Sequence, residues 1–180
     1  KTGDSYNVAG TGGGCGGGPS QLSSPTGVAA TDTEIFVTDG QGAVKKYDYS
    51  GRYLLTIAPP GYEPGQVDGP YAVAASKTET EGTHIWVIEA GTTSRAQRFT
   101  GDGALVDVLT GTNAAHFTYP HGIALSPTAD VLYIADTGGE DPNVYSFRVT
   151  EPKLNVAPDE NLRHLVKTEG LWFRMAYNQA

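Results

Sequence analysis

Apolar and polar positions alternate along most of this chain in short bursts, broken by Gly, Pro, Asn and Asp. Three runs carry the pattern most clearly: Glu34-Ile35-Phe36-Val37-Thr38-Asp39, His84-Ile85-Trp86-Val87-Ile88-Glu89 and Val131-Leu132-Tyr133-Ile134-Ala135-Asp136. A period of two sends successive side chains to opposite faces of a strand. Ile35 and Val37, like Ile85 and Val87, therefore share one face, while Phe36, Trp86 and Tyr133 fill the other. Both faces are apolar, so each sheet needs a neighbour on either side. No stretch of a dozen residues before position 157 has helical spacing. Only Asp159–Lys167, with Leu162, Leu165 and Val166 apolar, offers a helical turn or two.

Each run is preceded by a proline-led segment: Pro25-Thr26-Gly27-Val28-Ala29-Ala30, Pro70-Tyr71-Ala72-Val73-Ala74-Ala75 and Pro120-His121-Gly122-Ile123-Ala124-Leu125. These prolines are 45 and 50 residues apart. A third short strand follows each run, at Ala43 to Tyr47, Ala96 to Phe99 and Val144 to Phe147. A tight turn (Ser50-Gly51, or Thr100-Gly101-Asp102-Gly103) then leads to a fourth, at Tyr53–Ile57 and Ala104–Leu109. In the third repeat Lys153–Val156 is the weakest of these assignments. Four antiparallel strands per repeat of about 45 residues are the mark of a β-propeller blade.

The predicted fold is all-β, an incomplete propeller. Residues 1–18 form the outer strand of a preceding blade plus a Gly-rich loop. Residues 19–63, 64–113 and 114–156 form three blades, and 157–180 is a tail supplying the first strand of a further one. Closing a propeller takes four to eight blades, so the expectation is either a segment of a longer ring or a protomer that completes its sheets with another copy. Tyr6 and Val8 at one end, and Trp172 and Phe173 at the other, are the candidate assembly edges.

These repeats resemble the NHL-repeat family. The matching residues include Val8-Ala9-Gly10-Thr11-Gly12, Gln21 to Ala29, Ile35-Phe36-Val37-Thr38-Asp39, Tyr119-Pro120-His121-Gly122-Ile123-Ala124 and Leu132 to Gly138, so the resemblance covers roughly 5–150. The second repeat departs from it, with Glu89 where the family usually has Asp, and the family's Asn-x-Arg after that acid is missing. The resemblance implies a propeller; it does not by itself imply an activity, because propellers host unrelated functions. In NHL-like peptidyl-hydroxyglycine amidating lyases a Pro-His pair at the place of Pro120-His121 supplies a zinc ligand lining the central channel.

Composition narrows the partners. With 12 Lys plus Arg against 20 Asp plus Glu, the formal charge is −8. The largest basic cluster is the pair Lys45-Lys46, which disfavours nucleic acid and anionic membrane surfaces. No apolar run approaches the ~20 residues a spanning helix needs, so membrane insertion is not expected. Cys15 is the single cysteine; it has no internal disulfide partner and no adjacent base. The chain starts at Lys1 without an apolar segment, which implies either a removed leader or a piece of a longer chain. The expectation is a secreted or extracellular protein after processing, with a cytoplasmic one as the alternative.

Candidate chemistry is sparse. Gly12-x-Gly14-x-x-Gly17 matches a dinucleotide fingerprint formally, but Pro19 and Ser23-Ser24-Pro25 follow where a helix is required. Thr26, Tyr71 and His121 occupy equivalent positions after the three prolines, at the mouth of the channel, with His116 close in sequence. A catalytic zinc needs about three protein ligands, so His121 with His116 is an incomplete set. Asp39, Glu89 and Asp136 end the second strands and are expected to accept backbone N–H bonds from adjacent turns. Asp136, Glu140 and Asp141 are a candidate calcium cluster. The primary expectation is an interaction or scaffold module binding a protein partner or itself, with no cofactor. The alternative is a metal-dependent lyase or lactonase-like enzyme with its site near His121.

Overall fold

The computed structural model describes residues 16–79, 82–110, 117–138, 142–149 and 154–158. Twelve strands are present: β1 (Pro25–Ala30), β2 (Glu34–Asp39), β3 (Ala43–Asp48), β4 (Tyr53–Ala58), β5 (Pro70–Thr78), β6 (Gly82–Ala90), β7 (Ser94–Thr100), β8 (Leu105–Leu109), β9 (Pro120–Leu125), β10 (Val131–Asp136), β11 (Asn143–Val149) and β12 (Leu154–Pro158). They form three four-stranded antiparallel meanders, β1 to β4, β5 to β8 and β9 to β12. The described residues contain no helix. The first strand of each sheet lies beside the first strand of the next, β1 by β5 and β5 by β9. This is propeller architecture, with the ring incomplete in this chain. The weakly marked fourth strand of the third sheet is β12.

Alternation along the second strands explains the stacking. Phe36 on β2 packs with Val73, Ile85, Val87 and Phe99 of the second sheet. Trp86 and Ile88 on β6 turn the other way and pack with Leu132, Ile134 and Phe147 of the third. Each fully buried aromatic of this kind contributes about 2–3 kcal/mol of apolar burial. Ile35, Val37 and Tyr47, on the far face of the first sheet, form a third cluster with Leu22 and Tyr53. On β10 burial alternates residue by residue. Tyr133, expected to be buried like Phe36 and Trp86, is only half-buried, because no further described sheet packs on its face.

The inner strands approach closely because the residue two after each proline is small. A Cβ on Gly27 would sit 2.8 Å from Thr38 Oγ1 and 3.0 Å from Ala72 Cα. That crowding is why Gly27 and Ala72 stand there. It also brings the residues just after the prolines together at one end of the inner strands.

Candidate functional site

All three inner strands begin at the same end of the molecule, where the second strands finish: Pro25 pairs with Asp39, Pro70 with Glu89 and Pro120 with Asp136. The loops joining successive sheets lie at this end as well. The three acids hold it together. Ser23 and Ser24 N–H donate to Asp39 Oδ2 and Oδ1 at 2.9 and 2.8 Å. Thr118 N–H donates to Asp136 Oδ2 at 2.7 Å, and Tyr119 and Gly138 N–H donate to its Oδ1 at 2.8 and 3.0 Å. Burial pushes the Asp39 carboxyl up, but N–H bonds from Ser23, Ser24 and Gln41, with the nearby Lys45 charge, outweigh it and leave its pKa below the usual value. Lys45 also donates to the carbonyls of Gly18 (3.1 Å) and Gln21.

Glu89 solves the same problem differently. It is fully buried, accepts from Arg95 Nε at 2.8 Å and Gln97 Nε2 at 2.6 Å, and takes Asp68 N–H at 2.9 Å. Arg95 reaches on to the carbonyls of Tyr62, Glu63 and Gln66 at 2.8, 3.1 and 2.9 Å. The extra methylene of Glu over Asp makes this network possible, and it orders the 59–69 loop.

On this frame stand the residues that follow the prolines. Thr26 Oγ1 donates to Pro70 carbonyl at 2.7 Å, which ties β1 to β5. Tyr71 meets His121 edge to face, with ring centroids 4.4 Å apart, which ties β5 to β9. Tyr119 meets His121 at the same 4.4 Å from a second direction. His121 Nδ1 lies 2.7 Å from Thr137 Oγ1. Tyr71 and Tyr119 are 39% and 46% exposed, and their hydroxyls have no hydrogen-bond partner among the described residues. The result is an open cluster of three aromatic rings with hydroxyl groups around it.

The structure thus brings together Thr26, Tyr71 and His121. His116, Glu140 and Asp141 lie outside the described residues, as do Tyr6, Val8, Trp172 and Phe173. Asp136, the described member of the calcium cluster, is buried and committed to three N–H donors. No group of three metal-binding side chains occurs among the described residues, and no described helix is long and apolar enough to cross a membrane. Tyr119 and Thr137 were missed as site residues. Their signal was positional: Tyr119 immediately precedes Pro120-His121, and Thr137 immediately follows the strand-ending acid. A shallow groove of roughly 340 Å³ lies at the opposite end, lined in part by Asp32, Ser76, Lys77 and Glu79. Its Asp32–Lys77 pair is closed at 3.0 Å, so the groove offers less unsatisfied chemistry than the aromatic cluster.

Comparison with known proteins supports the fold. No family model matches the sequence, and no curated protein matches it either. Solved structures do. A chain of a nidogen/laminin complex aligns with TM-score 0.54 at 18% identity, over 76% of this chain and 49% of that one. A gluconolactonase from Xanthomonas campestris aligns with TM-score 0.50 at 18% identity, over 67% and 42%. A chain described as a 6-phosphogluconolactonase from Bacteroides uniformis aligns with TM-score 0.53 at 17% identity, over 74% and 39%. The chain thus spans less than half the length of these structures, and the likeness is one of propeller fold.

Proposed function

We propose that this chain is part of an NHL-like propeller that works as an interaction module, with its recognition surface at the inner-strand end around Tyr71, Tyr119 and His121. The observation that carries this reading is the exposed aromatic cluster itself. Two tyrosines with open hydroxyls, fixed against a histidine on a rigid sheet, supply apolar contact area at little entropic cost. Tyr62, 61% exposed on the neighbouring 59–69 loop, extends the aromatic surface at this end. The resemblance to a chain from a nidogen/laminin complex is consistent with a protein partner.

A second reading is favoured by one atom. His121 Nε2 has no partner among the described residues, which suits a ligand to a metal in a lyase or lactonase-like enzyme. Two measurements separate the readings. In the first, immobilised wild-type protein and a Tyr71→Ala/Tyr119→Ala variant are compared for partner retention. A partner held by the first and released by the second supports the module; equal retention removes this surface. In the second, the metal content of purified protein is measured with and without His121→Ala. Stoichiometric metal that disappears with the substitution favours the enzyme, and metal absent from the wild type overturns that form of it.

A further inference from the structure

The network behind His121 says what the cluster can recognise. Thr137 Oγ1 makes two contacts, one with His121 Nδ1 at 2.7 Å and one with the Tyr119 carbonyl at 3.2 Å. A hydroxyl has one proton, and a carbonyl oxygen only accepts. Both contacts are hydrogen bonds in one arrangement alone: Thr137 donates to the Tyr119 carbonyl, and His121 Nδ1–H donates to Thr137. The neutral imidazole then carries its proton on Nδ1, and Nε2 presents a bare lone pair. That assignment comes from the hydrogen-bond network, as tautomers generally do.

The surroundings add a second constraint. Among the described residues, the loops at this end carry two charged side chains, Glu63 and Asp68, and no cation; the remainder are Gly, Pro, Ser, Thr, Gln and apolar or aromatic residues. Asp68 is itself engaged, accepting Thr92 N–H at 2.6 Å. Lys45, Arg95 and the strand-ending acids are buried in the scaffold. Within the cluster of Tyr71, Tyr119 and His121 the open groups among the described residues are therefore two aromatic rings, two phenols and one acceptor nitrogen, with the exposed Tyr62 and Glu63 on the neighbouring 59–69 loop.

We propose that Thr137 is a positioning residue that holds His121 as the Nδ1–H tautomer, and that the cluster binds a neutral group bringing an N–H or O–H donor to Nε2 and a flat apolar face to Tyr71 and Tyr119. The proposal rests on the interaction-module reading and specifies the chemistry of its surface. An aromatic side chain with a donor, or a similar neutral group on a partner, meets both demands.

Two experiments test it on the intact chain. Long-range ¹H–¹⁵N NMR of labelled protein reads the tautomer of His121 directly. The expected result is protonated Nδ1 in the wild type, retained in Thr137→Ser and lost in Thr137→Val. A protonated Nε2 in the wild type, or a tautomer unmoved by Thr137→Val, overturns the positioning role. In the second, indole and 1-methylindole are titrated against the protein. They share a flat face and differ in the N–H donor. Indole is expected to shift the signals of Tyr71, Tyr119 and His121 saturably, with 1-methylindole at least fivefold weaker. Equal binding of the two, or no saturable shift with indole, overturns the donor requirement. Either failure leaves the module reading to be judged by partner retention, so the two ideas fail separately.

Discussion

The two ends of the molecule spend their polar groups in opposite ways. At the far end, the loops carry Asp32, Arg52, Glu79, Asp102 and Asp130. Two of these charges form close pairs on the surface: Asp32 with Lys77 at 3.0 Å, and Arg52 with Asp48 at 3.0 Å. Lys46 bridges the first two sheets there, reaching Glu34 at 3.0 Å and the Gly101 carbonyl at 2.7 Å. At the inner-strand end the strand-ending acids Asp39, Glu89 and Asp136 are buried and consumed by the scaffold, while neutral aromatic groups stand exposed beside Glu63. In the proposed reading, the buried acids carry stability and the exposed aromatics carry recognition.

The sharpest way to break this division is at Glu89. Removing one partner of a buried, hydrogen-bonded charge pair leaves the other charge uncompensated and costs about 3–5 kcal/mol. Glu89→Ala is therefore expected to lower the denaturation midpoint more than any change at the far end. A loss below about 1 kcal/mol in chemical denaturation would contradict the account of the 59–69 loop.

Asp39→Asn comes next, with an expected loss of about 2 kcal/mol at neutral pH, since hydrogen bonds to a charged group are worth roughly 1.5–3 kcal/mol each. Its pH dependence has a fixed sign. The folded pKa of Asp39 lies below the unfolded one, so its contribution is fully present above the unfolded value and is lost as pH falls through the folded value. Acid denaturation of Asp39→Asn should be less steep than that of the wild type in that window. An unchanged acid limb would show that Asp39 does not stabilise the fold through its charge.

Smaller in stability, but direct tests of the proposed recognition role, are Tyr71→Ala and Tyr119→Ala. Each is expected to weaken partner binding about tenfold, near 1.4 kcal/mol. The accompanying loss of stability should stay under about 1 kcal/mol, because both side chains are substantially exposed. Asp32→Ala with Lys77→Ala should have the smallest effect, within about 0.5 kcal/mol in stability, since exposed ion pairs contribute little. Calorimetry on the five variants ranks them directly, and a reversed order would dissolve the distinction between the ends.

Much of the fold was legible because the repeat writes its own register. Proline starts the inner strand, a small residue two positions later permits close stacking, and an acid closes the second strand. The site was legible in part for the same reason: Thr26, Tyr71 and His121 are one repeat position apart and so fall side by side. Tyr119 and Thr137 were not, because their role arises across strands, from a loop carbonyl and a hydroxyl meeting behind His121. Glu89 looked like a simple departure from Asp. Its meaning appears only when the β6–β7 register puts Arg95 opposite it and Gln97 two residues along β7. Tyr133 was read by analogy with Phe36 and Trp86, yet its burial depends on a neighbouring sheet that the repeat itself does not contain.

The central claim is that recognition belongs to the neutral aromatic end. The most direct test is the dissociation constant of a partner retained by the wild-type protein, measured for two double variants in parallel. Tyr71→Ala/Tyr119→Ala should bind at least tenfold more weakly than wild type, and Asp32→Ala/Lys77→Ala should bind as wild type does. Full affinity in the aromatic variant together with lost affinity in the charged-end variant would place recognition at the opposite end and contradict the account.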